Sequence, residues 1–249
     1  MYDIGIIGGM GPKATSVLFD KIVDYTDATC DQDHPSIVIL DNSKIPDRTK
    51  YIMGITENFP ITGINEALDF FRLILKQGAT VGMVCNTAHY FADELSAKSK
   101  ELGFSFVNMP EKTMEYIALS NMHKKCCILC TLGTRYAGIY DKANSTKLDI
   151  CYPDESQCEQ IQRIIYQIKD SSNVNYEETA LCFSKLLDSI GDYTFVLACT
   201  ELSVLDKSLL GDKTIVDAMD ILSMLLVNKC GHKMRVVDNR YDVEILRKM

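Results

Sequence analysis

The sequence lacks the features of a membrane protein or an exported one. None of its apolar runs approaches the roughly 20 residues that a membrane-spanning helix needs. Its opening, MYDIGIIGGMGPK, has neither the basic segment nor the cleavage site of a signal peptide. We therefore expect a cytoplasmic protein that has no membrane partner.

Dense clusters of lysine and arginine are also absent, and the formal net charge is −8. Nucleic acids and anionic membranes attract basic surfaces, so this charge balance argues against either as a partner. It does not limit small anionic substrates, because local cations or helix N-termini inside a pocket suffice to bind them.

A metal site is not predicted either. Cys127 and Cys130 form a C-x-x-C pair, but they lie within the apolar run CCILC, which is typical of a core strand. No second ligand pair with suitable spacing follows them. Most of the ten cysteines are expected to be buried thiols, because a cytoplasmic chain of 249 residues seldom keeps disulfides.

The alternation of apolar and amphipathic segments predicts an α/β fold. Apolar residues make up 47% of the chain, enough for a substantial core in one or two domains. The apolar runs IGIIGG, SIVILDN and TVGMVC alternate with amphipathic stretches at 14–25 and 64–77, which is the pattern of a mainly parallel sheet with helices. Between them, SKIPDRTKYIMGITENFP (43–60) predicts a long loop.

The pattern repeats in the second half of the chain. The run YTFVLACTEL repeats the arrangement of TVGMVCNTAH, and the cysteines of these two runs are 114 positions apart. The glycine-ended runs IIGGMG and ILCTLG are separated by a similar number of residues. This spacing predicts two pseudo-symmetric, duplicated α/β domains, each with a mainly parallel sheet flanked by helices, and an active site in the interdomain cleft. We assign residues 1–112 and 213–249 to the first domain and 113–212 to the second. Further helices are predicted at about 111–120, 155–169, 176–190 and 217–228.

Each predicted domain has a strand that ends in a cysteine. Cys85 ends VGMV and precedes Asn86 and Thr87, while Cys199 ends FVLA and precedes Thr200. Ligands of parallel α/β sheets bind beyond the C-terminal ends of strands, where a helix N-terminus also favours thiolate over thiol. Inverting a carbon through a planar carbanion needs a base on one face and an acid on the other. Two cysteines that face each other across a cleft are therefore suited to racemisation.

Five segments resemble, in order, motifs of the aspartate/glutamate racemase family. They are GGMGP with Ala14 and Thr15, NSKIPDR, CNTAHY, TLGT with Tyr140, and ACTEL, and the resemblance spans about residues 4–217. CNTAH and CTEL are the most specific of them. The resemblance implies a pseudo-symmetric two-domain fold, an active site between the domains, catalysis without pyridoxal phosphate, and a homodimer that acts on a small amino acid.

The resemblance also implies roles for individual residues. Cys85 and Cys199 are similar to the family's two catalytic cysteines. Arg48 is similar to its clamp for the substrate side chain, since a guanidinium can hold a carboxylate through two hydrogen bonds. Lys169 resembles a second cation of aspartate-preferring members, and Glu201 stands where glutamate racemases often have histidine. The implied substrate-binding residues are Met10, Arg48, Asn86, Thr87, Thr134, Lys169, Thr200 and Glu201, with no metal and no cofactor.

Other interpretations stay open. His89 follows Cys85 by four residues and either tunes that thiol or packs and caps a helix. Isomerases and decarboxylases of the same superfamily use similar cysteine sites, and hydantoin racemases also use two cysteines, although Arg48 favours a substrate with a carboxylate side chain. The presence of both cysteines favours racemisation of an acidic amino acid, with aspartate ahead of glutamate.

A different class of protein is compatible with the opening segment. Gly9, Gly11 and Ala14 fit the G-x-G-x-x-A pattern of a dinucleotide-binding turn, with Asp41 at the end of the next strand. This interpretation leaves the paired cysteines unexplained. A non-enzymatic amino-acid-binding or redox-sensing protein is the remaining alternative, and loss of Cys85 without loss of turnover would favour it.

Overall fold

The chain folds into two α/β halves that have the same strand order. The computed structural model describes residues 1–120, 122, 125–170, 172, 174–235, 237 and 240–249. In these residues the strands are β1 (Tyr2–Gly8), β2 (Ile37–Asp41), β3 (Leu75–Met83), β4 (Ser105–Phe106), β5 (Cys126–Leu129), β6 (Ile150–Cys151), β7 (Thr194–Leu197) and β8 (Ile215–Asp217). They form two parallel sheets, ordered β2-β1-β3-β4 and β6-β5-β7-β8, which confirms the predicted duplicated α/β fold.

Helices flank both sheets. They are α1 (Pro12–Tyr25), α2 (Arg48–Ile52), α3 (Ile61–Ile74), α4 (Ala92–Glu101), α5 (Met109–Leu119), α6 (Leu132–Tyr136), α7 (Ile139–Ala143), α8 (Glu155–Lys169), α9 (Tyr176–Ile190), α10 (Ala218–Lys229) and α11 (Val243–Lys248). Short 3₁₀ turns cover Asp31–Asp33, Thr87–Phe91, Leu202–Val204 and Lys207–Leu210. The predicted bounds of α8 and α9 are confirmed. Among the described residues, no helix combines the length and apolar character that crossing a bilayer requires.

The segment 43–60, predicted as a long loop, contains the short helix α2. Asp47 caps this helix, and its Oδ1 accepts a hydrogen bond from the Lys50 amide at 3.0 Å. The prolines and the glycine that indicated a loop lie outside the helix. The loop prediction was therefore wrong for the five residues of α2, because an aspartate cap outweighed the surrounding turn residues. As a result, Arg48 occupies the first position of a helix.

Helices α5 and α10 lie between the two sheets. Residues 218–227 of α10 are all buried, and this helix packs against α1, α5 and β3. The largest core joins both helices to strand residues of both halves, such as Ile6 and Ile128. Helices α3 and α4 pack on the other face of the first sheet, and α8 and α9 on that of the second. Because one core is shared, the carboxyl ends of the two sheets are held in a fixed relation.

The chain crosses between the halves at the junction of β8 and α10. Strand β8 pairs with β7 and so belongs to the second sheet, although the predicted boundary groups 213–249 with the first domain. Helix α10, which follows directly, packs on α1 and β3 of the first half. The position of the domain boundaries stays a prediction.

The C-terminal segment is attached to the body of the protein. Met234 forms an antiparallel bridge with Thr26, and α11 packs against α5 and α10. Leu246 of α11 is fully buried. The sequence alone did not predict how this segment packs.

Candidate active site

The two cysteines lie at equivalent strand ends. The residue before Cys85 donates its N–H to the carbonyl of Ile7 in β1, and the residue before Cys199 donates to that of Leu129 in β5, both at 2.9 Å. The same backbone hydrogen bond therefore ties each cysteine to the first strand of its sheet. Both side chains are almost fully buried, with 5% of Cys85 and 4% of Cys199 exposed.

Both cysteines line one cavity between the halves. The cavity is small and is lined by Met10, Asp47, Arg48, Thr49, Cys85, Asn86, Thr87, Thr131, Tyr166, Lys169, Cys199, Thr200 and Glu201. All predicted site residues except Thr134 are among them. Asp47, Thr49, Thr131 and Tyr166 are wall residues that the sequence did not predict. A wider outer pocket shares Met10, Asp47, Arg48, Lys169 and Glu201 with this wall.

Thr134 lies behind the cavity wall and supports it. Its hydroxyl is 2.9 Å from that of Thr87 and 3.0 Å from that of Thr131, and the latter two hydroxyls are 3.0 Å apart. Thr131 caps α6 and accepts a hydrogen bond from the Thr134 amide at 3.1 Å. This hydroxyl cluster joins the first half to the second, while Thr87 and Thr131 reach the cavity.

Arg48 is buried in the wall and held by backbone carbonyls. Its Nη1 donates to Ile45 and Pro46 at 3.2 and 2.9 Å, and its Nη2 donates to Met10 at 3.0 Å. Its Nε is buried and has no hydrogen-bond partner among the described residues. The guanidinium is thus fixed in place and keeps a donor for a ligand.

The charge of Arg48 is matched by acidic neighbours. Burial alone would lower the pKa of Arg48, but the pKa is raised overall, because Cys85, Asp47 and Glu201 place negative charge nearby. A negative charge formed on Cys85 is consequently balanced by an adjacent cation.

Cys199 has a carboxylate as its neighbour. Its thiol donates to Glu201 Oε2 at 3.0 Å, and Lys169 Nζ lies 3.5 Å from Glu201 Oε1. Burial, and then the charge of Glu201, raise the pKa of Cys199 well above the usual thiol value, and Lys169 only partly opposes this. The resting form of Cys199 is therefore the thiol. Burial lowers the pKa of Lys169, but Glu201 and Cys199 outweigh it and keep the ammonium charged.

Tyr140 orients the side-chain amide of Asn86 across the two halves. Its hydroxyl donates to Asn86 Oδ1 at 2.7 Å. Asn86 Nδ2 is buried and, in the described part of the chain, has no acceptor. Burial raises the pKa of Tyr140 well above its usual value, so Tyr140 remains a donor. The Asn86 amide N–H groups are left to bind a ligand carboxylate.

His89 is satisfied by the backbone and does not line the cavity. Its Nδ1 is 2.8 Å from the Cys85 carbonyl oxygen, and its Nε2 accepts a hydrogen bond from the Met109 amide at 3.2 Å. Burial lowers the pKa of His89 to about 4, so the ring is neutral at physiological pH. Of the two predicted roles, these contacts support the packing and capping one: His89 fixes the backbone of Cys85 to the start of α5.

Two glycines let the wall segments approach closely. Gly9 has a φ of +86°, and a Cβ there would lie 2.3 Å from the backbone carbon of Asn42. A Cβ on Gly133 would lie 2.8 Å from the Cα of Thr49, in the other half of the chain. Both positions therefore need glycine, and the second allows α6 to pack directly on α2.

The C-x-x-C pair lies in the core of the second half. Cys127 and Cys130 are buried, and burial followed by neighbouring thiols raises the pKa of each. Among the described residues, no group of three or more histidine, cysteine, aspartate or glutamate side chains is placed to hold a metal ion.

Comparison with known proteins identifies the family. Residues 7–226 match the family described as Asp/Glu/Hydantoin racemase, so the protein belongs to this family of isomerases. It is 25% identical over 244 residues to the broad specificity amino-acid racemase RacX of Bacillus subtilis strain 168, covering 90% of this chain and 96% of that protein. The match confirms the family resemblance that the motifs indicated.

Solved structures of racemases have the same fold. Picrophilus torridus aspartate racemase superposes with a TM-score of 0.80 at 25% identity, covering 98% of each chain. A glutamate racemase isoform from Bacillus anthracis superposes with a TM-score of 0.57 at 19% identity, covering 90% of this chain and 80% of that one. The family match disfavours the dinucleotide-binding interpretation. Asp41, the acidic residue on which that interpretation depends, does not line the cavity.

Proposed function

We propose that the protein racemises an acidic amino acid, aspartate first and glutamate second, by moving the α-proton between Cys85 and Cys199 without a cofactor. One observation carries the proposal: two thiols from equivalent strand ends line a single small cavity whose wall also contains a buried arginine. Membership of the racemase family supports it.

The proposed reaction exchanges one proton at each thiol. A thiolate takes the α-proton, so that the C–H bond breaks and an S–H bond forms, and the electron pair stays on the planar α-carbon. The thiol on the opposite face then gives its proton to that carbon and becomes a thiolate. Each turnover leaves the two cysteines with exchanged protonation states, so the enzyme alternates between two forms.

The two cysteines start from unlike surroundings. Cys199 is held as the thiol by burial and by Glu201, whereas Cys85 lies beside the Arg48 guanidinium. In the proposal, Cys199 therefore starts as the acid, and Cys85 takes the α-proton in that half of the cycle. Glu201 accepts a hydrogen bond from the Cys199 thiol, and the proton in that hydrogen bond is the one that Cys199 gives to the α-carbon.

The polar wall supplies donors for both carboxylates of an acidic substrate. In the proposal, Asn86 Nδ2 and the hydroxyls of Thr87 and Thr200 bind the α-carboxylate and stabilise the charge that grows on it. The unpaired Nε of Arg48 and the ammonium of Lys169 bind the side-chain carboxylate.

One assay tests the substrate and the reaction together. Purified protein is incubated in deuterated water with L-aspartate, L-glutamate, L-asparagine or a hydantoin, and both chirality and α-deuteration are followed. We expect racemisation with α-deuteration of aspartate, and a slower reaction of glutamate. Racemisation of the hydantoin alone, or α-decarboxylation, would instead favour the related superfamily reactions.

Cofactor independence has its own test. Because two thiols suffice for proton exchange, activity should survive a chelator and a carbonyl reagent, while a thiol alkylator should abolish it and bound substrate should protect against the alkylator. Strong inhibition by the chelator or the carbonyl reagent would contradict the proposal.

We also propose that the protein acts as a cytoplasmic homodimer. All ten cysteines are free thiols, which suits a reducing compartment, and the family resemblance supports the dimer. Light scattering after gel filtration tests the dimer, and fractionation of the source cells tests the location.

A further inference from the structure

Four charged side chains form a buried ion cluster outside the cavity: Lys21, Lys207, Asp217 and Asp220. Lys207 Nζ lies 2.5 Å from Asp217 Oδ2 and 3.1 Å from Asp220 Oδ2, and Lys21 Nζ lies 2.5 Å from Asp220 Oδ1. Both aspartate side chains are completely buried. Two cations balance two anions, which is the condition for keeping charges inside a protein.

The buried ion cluster connects the Cys199 loop to the first half. Lys207 follows Cys199 by eight positions, and Ser203, which lies between them, donates its hydroxyl to Asp217 Oδ1 at 2.6 Å. Lys21 belongs to α1, the helix that begins directly after the Met10 segment of the cavity wall. The loop after Cys199 forms only 3₁₀ turns before β8, and these polar contacts hold it together with its buried leucines, Leu202, Leu205 and Leu210.

Tyr241 completes the cluster from the C-terminal segment. Its hydroxyl donates to Asp220 Oδ2 at 2.9 Å and accepts a hydrogen bond from the Asp217 amide at 3.1 Å. Only 4% of Tyr241 is exposed, and burial raises its pKa well above the usual value, so it remains a neutral donor. One hydroxyl thus bridges the two aspartates at the start of α10.

The C-terminal segment holds Tyr241 in this position. The amide of Asp242 donates to the Tyr116 hydroxyl on α5 at 2.8 Å, and the rings of Tyr116 and Tyr241 lie 5.8 Å apart. Helix α11 then packs on α5 and α10. The segment is therefore attached to the layer between the sheets, from which its tyrosine reaches the cluster.

We propose that Tyr241 is a positioning residue for Cys199, acting through Asp217, Asp220 and Lys207. The C-terminal segment is then part of the support of the active site, and it serves one of the two thiols. This inference rests on the proposed function in that Cys199 is one of the acting cysteines. It predicts that a change at Tyr241 affects Cys199 and leaves Cys85 unaffected, because Cys85 is held by His89 and α4.

The test removes the Tyr241 hydroxyl and measures the alkylation rate of each cysteine separately. In Tyr241→Phe, iodoacetamide labelling followed by peptide mass spectrometry should show faster alkylation of Cys199 and an unchanged rate at Cys85. The kcat for aspartate should fall by about tenfold, because displacing a reacting group by part of an ångström has large effects on rate. KM should change less than kcat, because Arg48, Asn86 and Thr87, which line the cavity from the first half, keep their places. Ser223→Ala, which removes another buried hydroxyl of the same region, is the matched control and should behave as wild type.

A second variant changes the contact between the same cluster and the Cys199 loop. Ser203→Ala removes the hydrogen bond between the Cys199 loop and Asp217, and should reproduce the selective change at Cys199 even if Tyr241→Phe folds poorly. Wild-type kcat and labelling in both variants would overturn the proposal. Equal acceleration of labelling at both cysteines, together with a lower melting temperature, would also overturn it by showing a general loss of stability.

The labelling separates this proposal from the proposed function. If the protein racemises no substrate but Cys199 labelling still changes selectively, Tyr241 positions Cys199 and the proposed reaction fails. If racemisation is intact and labelling is unchanged, the reaction stands and the positioning role fails.

Discussion

The two halves of the protein share a strand order but hold their cysteines by different means. After Cys85 the 3₁₀ turn runs directly into α4, and His89 ties the Cys85 carbonyl to the start of α5. After Cys199 only short 3₁₀ turns follow, and the loop is held by its buried leucines together with the buried ion cluster.

The halves also differ in the charge beside each thiol. A guanidinium lies beside Cys85, whereas a carboxylate accepts a hydrogen bond from Cys199. The repeated scaffold thus places two equivalent thiols, and residues outside the repeated pattern make them unequal. This difference favours the form in which Cys199 keeps its proton.

Removing either thiol should have the largest effect. A serine hydroxyl is a much weaker acid than a thiol, so Cys85→Ser and Cys199→Ser should each lower racemisation by about 10³-fold or more. Chiral chromatography measures the rates. Cys182→Ser, at an exposed cysteine of α9, is the matched control and should keep the wild-type rate. A rate near wild type in either active-site variant would contradict the assignment.

The free energy of unfolding should depend on pH because His89, in the first half, is buried in its neutral form. Burial lowers the pKa of His89 from 6.5 to about 4, so between these values the unfolded chain binds a proton that the folded chain does not. The stabilisation is complete above pH 6.5 and is lost as the pH falls towards 4, by about 3 kcal/mol.

Urea unfolding of the wild type and His89→Gln at pH 7 and pH 4 measures this effect. Between pH 7 and pH 4, the free energy of unfolding of the wild type should fall by about 3 kcal/mol more than that of His89→Gln. His232→Gln, at a partly exposed histidine, controls for the loss of a histidine in general. A difference that stays constant with pH would contradict the assignment of a buried, neutral His89.

Arg48→Ala should weaken the binding of acidic substrates by about 1.5 to 3 kcal/mol, because it removes a charge-assisted hydrogen bond to the substrate's side-chain carboxylate. Steady-state kinetics on aspartate, glutamate and asparagine measure the loss. Arg48→Lys keeps the charge but not the guanidinium, and it separates the two contributions. An equal loss for asparagine would indicate a general defect, since the guanidinium also holds the carbonyls of Met10, Ile45 and Pro46.

Glu201→Gln should bring the pKa of Cys199 closer to the usual thiol value. Removing the carboxylate charge lowers the pKa of Cys199, so the thiolate forms at lower pH and alkylation of Cys199 should be faster by about tenfold at a fixed pH below that pKa. Labelling at several pH values, with Cys85 as the internal control, measures the shift. An unchanged pH profile for Cys199 would show that Glu201 does not govern it.

The sequence predicted the parts of the site that local patterns encode. Cys85 and Cys199 follow apolar strand runs, and parallel sheets place such strand ends together. Tyr166 of α8 was not predicted, because a helical pattern shows which face of a helix is buried but not which residues of the other half that face contacts. Thr134 was expected in the wall but lies behind it, because Thr131 caps α6 and takes the position nearer the cavity.

Contacts between distant segments account for the rest. The hydrogen bond from Tyr140 to Asn86 joins two halves of the chain, and Tyr241 reaches Asp217 and Asp220 from the C-terminal segment. No spacing in the sequence signals these pairs. The helix α2 was missed for a local reason, since its five residues stand among prolines and a glycine.

The most direct test of the two-thiol account is α-hydrogen exchange by the single-cysteine variants. Cys85→Ser and Cys199→Ser are each incubated in deuterated water with L-aspartate and with D-aspartate, and proton NMR follows loss of the α-hydrogen signal. The account predicts that one variant exchanges the L-form and the other the D-form, because each remaining thiol reaches one face of the α-carbon. Exchange of both enantiomers at the same rate by either variant would contradict it.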